Sequence, residues 1–332
     1  MINGSIILAG QLLGTAFACG LNLYATVALL GIASRLGWVS SMPLGMLGIE
    51  HEIVIGSAAV LYIVEFIVDR VPVIDHAWEA LHTLIRPAAA GMLAILALQE
   101  MPLYLQLSGA VAAAAVALAA HGTKTGVRLI VSTRASEDRR RSILRTTLSM
   151  LEDFVAVGIA IAAMMYPNVA AGVMVACTAL LLLGGPRLWR ASILGLRAVI
   201  ARTRGFFNGR DWLYRDQLPR ALRSAIPDEP LGRSPVRAAA AAISGLPMIG
   251  EYRNGWLVFT CDGPRFLYRS LFRTRLASLP IITGIDLRRG LVTDALDVST
   301  STNDVTRTFT IFLLKDGPSP RVAAAELKRE NS

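Results

Sequence analysis

The chain has 332 residues, of which 54% are hydrophobic and only 17% charged, against roughly 25% charged in soluble domains. Its 33 Lys and Arg outnumber 24 Asp and Glu, for a formal charge of +9. The composition excludes an ordinary soluble globular protein, and the unpatterned cysteines Cys19, Cys177 and Cys261 indicate neither a disulfide framework nor a zinc site.

Apolar runs cover residues 5–34, 53–68, 87–98, 104–131, 147–165 and 168–186. The long ones reach the ~20 residues that span a hydrocarbon core; the second and third are short enough to be tilted, kinked or re-entrant. Ala16-Phe17-Ala18 ahead of Cys19 imitates a signal-peptide cleavage site. No Lys or Arg precedes Arg35, however, and the apolar run continues through Ala33, so the segment is read as a retained span.

Arginine placement sets the expected topology. Arg134, Arg139, Arg140, Arg141 and Arg145 lie between the fourth and fifth runs, and Arg187, Arg190, Arg197, Arg202 and Arg204 follow the sixth. Both groups should face the cytoplasm. Counting back through six spans places Arg70 and Arg86 there too, with both termini on the cytoplasmic side of a bacterial inner membrane. Three spans per half is an odd number, so the halves 1–100 and 101–186 should run in opposite senses. The predicted fold is an all-α, six-span bundle built as a 3+3 inverted repeat with broken helices, followed by a small β-rich cytoplasmic domain.

Two runs carry similar interruptions, Ala18-Cys19-Gly20-Leu21-Asn22 and Ala120-His121-Gly122-Thr123-Lys124. Gly20 and Gly122 sit about fifteen and seventeen residues into their runs, within about one helical turn of equivalent depth. Two readings stay open: close helix approach at glycine, or discontinuous helices framing a site between repeats. Glu65-Phe66-Ile67-Val68 and Asp153-Phe154-Val155-Ala156 look alike but fail as inverted equivalents, since depth puts both carboxylates in the cytoplasmic half. Lys124, Arg128, Asp69, Arg70 and Glu152 fall there as well. Because charge inside a membrane is costly, Glu65, Lys124, Arg128 and Asp153 should pair in an inward-facing cluster; the alternative is that they reach interfacial water.

Residues 69–87 should form an amphipathic helix feeding the third span, with Trp78, Leu81, Leu84 and Ile85 apolar and Pro87 kinking the entry. Asp75, Glu79 and His82 share the other face at a spacing that would bind a cation or relay a proton, or would simply face water; the metal reading is weak without Cys or a second nearby His.

Gly20-Leu21-Asn22-Leu23-Tyr24, Val64-Glu65-Phe66-Ile67-Val68-Asp69-Arg70-Val71-Pro72, Asp75, Trp78, His82-Thr83, Ile85-Arg86-Pro87, His121-Gly122-Thr123-Lys124 and Glu152-Asp153 follow one another in a telling order. Over about residues 10–185 the chain resembles the uncharacterised bacterial membrane family catalogued as domain of unknown function 4126, although Ser132-Thr133-Arg134-Ala135-Ser136 departs from the Asn-Thr-Ser-Pro-like stretch of that loop. The resemblance implies an integral membrane protein and carries over no activity and no catalytic residue.

Beyond the membrane part (1–186), residues 187–249 are expected to hold a basic amphipathic helix (187–204) on anionic lipids, and a proline-rich linker. Residues 250–320 should be β-rich, with strands at 255–261, 265–272, 291–298 and 305–314, in the manner of a pleckstrin-homology-like barrel, and 321–332 a tail. Arg265, Arg269, Arg273 and Arg275 would meet anionic headgroups or merely water. Positive-inside topology accounts for the basic charge without nucleic acid.

The function expected is a small transporter or channel for an ion or small polar solute, its pathway lined by Gly20, Asn22, Glu65, Asp69, Gly122, Lys124, Arg128 and Asp153, with Asp75, His82 and His121 as secondary candidates. The alternative is a membrane-anchored scaffold or regulator acting through the β-domain. An enzyme ranks third, because no nucleophile, phosphate loop or metal-ligand set accompanies either histidine. No cofactor or metal is expected; the bilayer is the partner, and homo-oligomer formation is left open.

Overall fold

The computed structural model describes residues 2–39, 42–69, 71–134, 138–226, 236–246, 249–260, 262–270, 273–290, 293–302 and 305–330. The chain divides into two compact units, Met1–Ser192 and Ile193–Ser332. The first is helical, with α1 (Ile2–Leu21), α2 (Leu23–Arg35), α3 (Glu52–Val68), α4 (Pro72–Ala97), α5 (Leu103–Arg134), α6 (Asp138–Met165) and the start of α7 (Pro167–Asn208); a 3-10 helix, Leu44–Glu50, precedes α3.

Asn22 is where the first apolar run breaks. Its backbone leaves helical space (φ −146°, ψ 101°), and its side-chain oxygen accepts from the Ala25 N–H at 2.9 Å to start α2. Gly20 permits the close approach of α1 to α5, since a Cβ there would lie 2.4 Å from the Ala117 carbonyl oxygen. The second interruption is not a break: α5 runs unbroken through Gly122, where a Cβ would meet the Trp189 ring at 3.0 Å. Gly20 thus combines close helix packing with a helix break beside it, whereas Gly122 shows helix packing alone.

Three segments are long and apolar enough to cross a membrane: Ala77–Ala97, Leu103–Val131 and Thr146–Met165. A fourth arises if Leu44–Glu50 and Glu52–Val68, bent by 66°, count as one span. The structure thus supports three or four spans among the described residues where the sequence reads six; α1 and α2 are shorter apolar helices. The segment expected to lie at the interface is instead continuous with the third run in α4, with Pro87 inside it. That brings Glu79, His82 and Arg86 within a candidate span and corrects the placement of Arg86 as a cytoplasmic loop charge.

Burial in this unit is inverted relative to a soluble protein. Leu84 and Phe154 are 74% and 77% exposed, whereas Arg86 is 0% and Glu65 1% exposed. Large apolar side chains on the outside with charges inside is the arrangement that a lipid solvent selects. Between the helices the contacts are small: Ala16, Cys19, Ala90, Ala94, Ala113 and Ala117 form one buried cluster, so backbones approach closely as membrane helices do.

The second unit holds β1 (Leu213–Tyr214), α8 (Arg220–Arg223), β2 (Arg237–Ser244), β3 (Arg253–Thr260), β4 (Gly263–Ser270), β5 (Arg273–Ser278), β6 (Ile282–Arg288), β7 (Thr293–Thr302), β8 (Val305–Leu314) and α9 (Pro320–Arg329). The sheet is antiparallel in the order β5-β4-β3-β2-β8-β7-β6, with β1 on part of β2. Since β5 and β6 end this path, the described pairings form an open sheet rather than a closed barrel. β2, mostly alanine, lies in the stretch read as linker; its six central residues are buried, and small side chains suit a strand covered on both faces. The expected tail is α9, capped by Ser319 and burying Ala323 and Leu327 in the sheet core with Phe266, Leu296 and Ile311.

Two expectations for this unit change. Arg197 lies 5.1 Å over the Trp256 ring and donates to Asn254 Oδ1 at 3.3 Å, so this part of the basic helix is engaged with the sheet. Pairing sets Arg273 opposite Ser270 and Arg275 opposite Tyr268, on the other face from Arg265 and Arg269; the four arginines form no common headgroup patch.

Asp297 accepts from Arg288 and, at 2.7 Å, from the Thr310 hydroxyl. Partial burial pushes its carboxyl up, but these two hydrogen bonds and the Arg288 charge outweigh that and hold it below its ordinary 3.8. A depressed folded-state value means stability that is present above about pH 4 and lost as pH falls through the folded value. Asp297→Asn should therefore flatten the acid limb of this unit's unfolding curve, followed by tryptophan fluorescence of the full chain; an unchanged acid limb would count against the linkage.

Candidate functional site

The break at Asn22 leaves carbonyls at the C-terminal end of α1 without intrahelical partners, and two of them point at cations. Gly20 O accepts from Arg86 Nη1 at 3.1 Å, and Leu21 O accepts from Lys124 Nζ at 3.0 Å. The negative end of the helix dipole thus meets α4 and α5 at their buried charges.

Around this point α3 to α6 assemble a network. Arg86 Nη2 donates to Glu65 Oε1, which also lies 3.4 Å from Lys124 Nζ. Lys124 further contacts Glu79 Oε1 at 3.3 Å and Glu152 Oε2 at 3.7 Å. One turn along α5, Arg128 binds Asp69 Oδ2 at 2.9 Å, Glu79 Oε1 at 3.2 Å and Glu152 Oε2 at 2.5 Å. The Ser149 hydroxyl donates to Asp69 Oδ2 at 2.7 Å. Asp153 joins from the side, accepting from Asn22 Nδ2 at 2.7 Å and from the Tyr62 hydroxyl at 3.1 Å.

Both histidines are fully engaged by hydrogen-bond partners. Arg86 can only donate, so His121 Nδ1 at 3.0 Å must accept, leaving Nε2–H for the Glu79 carbonyl and the Thr83 hydroxyl. His82 donates from Nδ1 to the Trp78 carbonyl at 2.8 Å, and its Nε2 pairs with the Tyr24 hydroxyl at 2.9 Å. His82 is also packed against the Trp78 ring.

The structure therefore brings Glu65, Asp69, Lys124, Arg128 and Asp153 together, with Asn22 through its side chain and Gly20 through its carbonyl. Gly122 stands apart from the network, in an apolar groove with Phe17, Leu118 and Trp189. The side chain of Asp75, and the whole of Arg70, lie outside the described residues. Sequence reasoning missed Arg86 and undervalued Glu79. The available signal was their spacing: 79, 82 and 86 share one helical face opposite Leu81 and Leu84.

Helices apolar outside and charged inside define an integral membrane protein. The chain belongs to the family described as a domain of unknown function, DUF4126, whose model matches residues 9–186. No curated protein and no solved structure matches it.

Proposed function

We propose that the helical unit is a small transporter or channel in which the buried network between α1 and α3 to α6 carries an ion or small polar solute. One observation supports this above others: a helix broken at Asn22 presents backbone carbonyls and Asn22 itself to a buried, multiply charged cluster, which a purely structural bundle has no need to bury. In this reading α1 and α2 count together as one broken span, giving three spans before residue 100 and three after, in a bacterial inner membrane with both termini and the β-rich unit on the cytoplasmic side. The inverted-repeat element rests on topology and run count alone, because α5 does not share the break.

Purified full-length protein in liposomes should conduct ion flux, followed by a pH- or potential-sensitive dye. Asn22→Leu and Lys124→Leu are each expected to reduce that flux by more than about tenfold, the effect of ~1.4 kcal/mol at the rate-limiting barrier. Flux unchanged in both variants, with native melting behaviour, would remove the proposal.

A further inference from the structure

The charges in the network do not balance. Among the described residues five carboxylates, Glu65, Asp69, Glu79, Glu152 and Asp153, face three fixed cations, Arg86, Lys124 and Arg128. With both histidines neutral the cluster carries two negative charges too many. Buried charge in such excess calls for neutralisation that the described side chains do not supply.

Three of the five carboxylates converge. Glu65, Asp69 and Glu79 each bring an oxygen within 4.8 Å of the others. In each, one oxygen is engaged: Glu65 Oε1 by Arg86 and Lys124, Asp69 Oδ2 by Arg128 and Ser149, Glu79 Oε1 by Lys124 and Arg128. The second oxygens, Glu65 Oε2, Asp69 Oδ1 and Glu79 Oε2, are buried without a hydrogen-bond partner. Glu79 Oε2 lies 3.8 Å from Arg86 Nη1 and 3.4 Å from His121 Nδ1, a nitrogen whose lone pair already faces Arg86. With Nδ1 accepting from Arg86, these two atoms face each other as acceptors. Glu65 and Glu79 are 1% and 7% exposed, so bulk solvent does not reach them.

An all-oxygen donor set selects hard cations over zinc or copper. Oxygens within 4.8 Å of one another can share an ion at about 2.0–2.4 Å, so the set is open to calcium, magnesium or manganese. We propose that Glu65, Asp69 and Glu79 form a binding site for a hard divalent cation, whose two charges match the excess. This rests on the reading of the unit as an ion pathway and names the class of ion; binding itself can be measured separately.

Full-length protein in detergent, freed of divalent ions, is titrated with Mn²⁺ and followed by electron paramagnetic resonance, with Ca²⁺ and Mg²⁺ as competitors. Saturable binding is expected, weakened at least about tenfold in Asp69→Asn and in Glu79→Gln. Because Glu65→Gln also disturbs Arg86, Asp69→Asn, nearer the edge of the network, serves as the variant whose fold is least at risk, checked by its elution profile. No saturable Mn²⁺ binding in the wild type, or binding unchanged in the two variants, overturns the site; proton flux in liposomes without divalent binding would do so too, assigning the excess charge to protons while leaving the pathway intact. Divalent binding that is lost in the variants, without ion flux in the wild type, supports the site and removes the pathway.

Discussion

Replacing Arg86 by leucine is expected to destabilise the helical unit by about 3–5 kcal/mol, the range for removing one partner of a buried ion pair. Arg86 is wholly buried, and its guanidinium joins three elements: Glu65 on α3, the Gly20 carbonyl at the end of α1, and His121 on α5. Truncation leaves the Glu65 carboxylate deeper in negative charge and exposes the Gly20 carbonyl to an apolar gap. Pairing the change with Glu65→Leu should recover most of the loss, because the uncompensated charge goes with it. Equilibrium unfolding in mixed micelles measures both variants. A cost below about 1 kcal/mol for Arg86→Leu would place Arg86 in contact with water, contrary to the structure.

The second large effect separates the two glycines that the sequence pairs. Gly20→Ala drives a methyl group into the Ala117 carbonyl oxygen and, at 2.7 Å, the Ala120 methyl, both fixed parts of α5. Helix separation should cost about 1–3 kcal/mol and shift α1 away from the network. Gly122→Ala meets only a tryptophan ring that can rotate, and gains up to about 1 kcal/mol of helix propensity, so it should be near neutral. The same unfolding assay decides: equal costs for the two would mean that the α1–α5 approach is not as tight as described.

These contrasts show what the sequence could convey. That Glu65, Asp69, Lys124, Arg128 and Asp153 converge was legible, since the cost of membrane-embedded charge leaves few alternatives to pairing. Arg86 was not, because the apolar run was taken to begin at Pro87 and an arginine just before it looks like a loop charge; only the helical face shared with Glu79 and His82 reveals otherwise. The break at Asn22 was legible from a polar cap residue after glycine. Its partner at Gly122 was misleading, for glycine within an Ala-rich helix serves close packing as readily as it ends a helix. In the second unit the alternating strands around Trp256 and Phe309 were readable, but β2 was not: five consecutive alanines have no β signature, and only enclosure by β3 and β8 makes them a strand.

The end of α1 has one more consequence. Its last carbonyls, which accept from Arg86 and Lys124, carry the negative end of the helix dipole, roughly half an elementary charge, to a network in which the described carboxylates outnumber the described cations by two. On the proposed reading, an anion brought there would meet net repulsion from backbone and carboxylates together before any question of fit arises. In the proposed pathway chloride and phosphate would be turned away by sign, and part of that barrier would be written into the main chain, where no single side-chain substitution erases it.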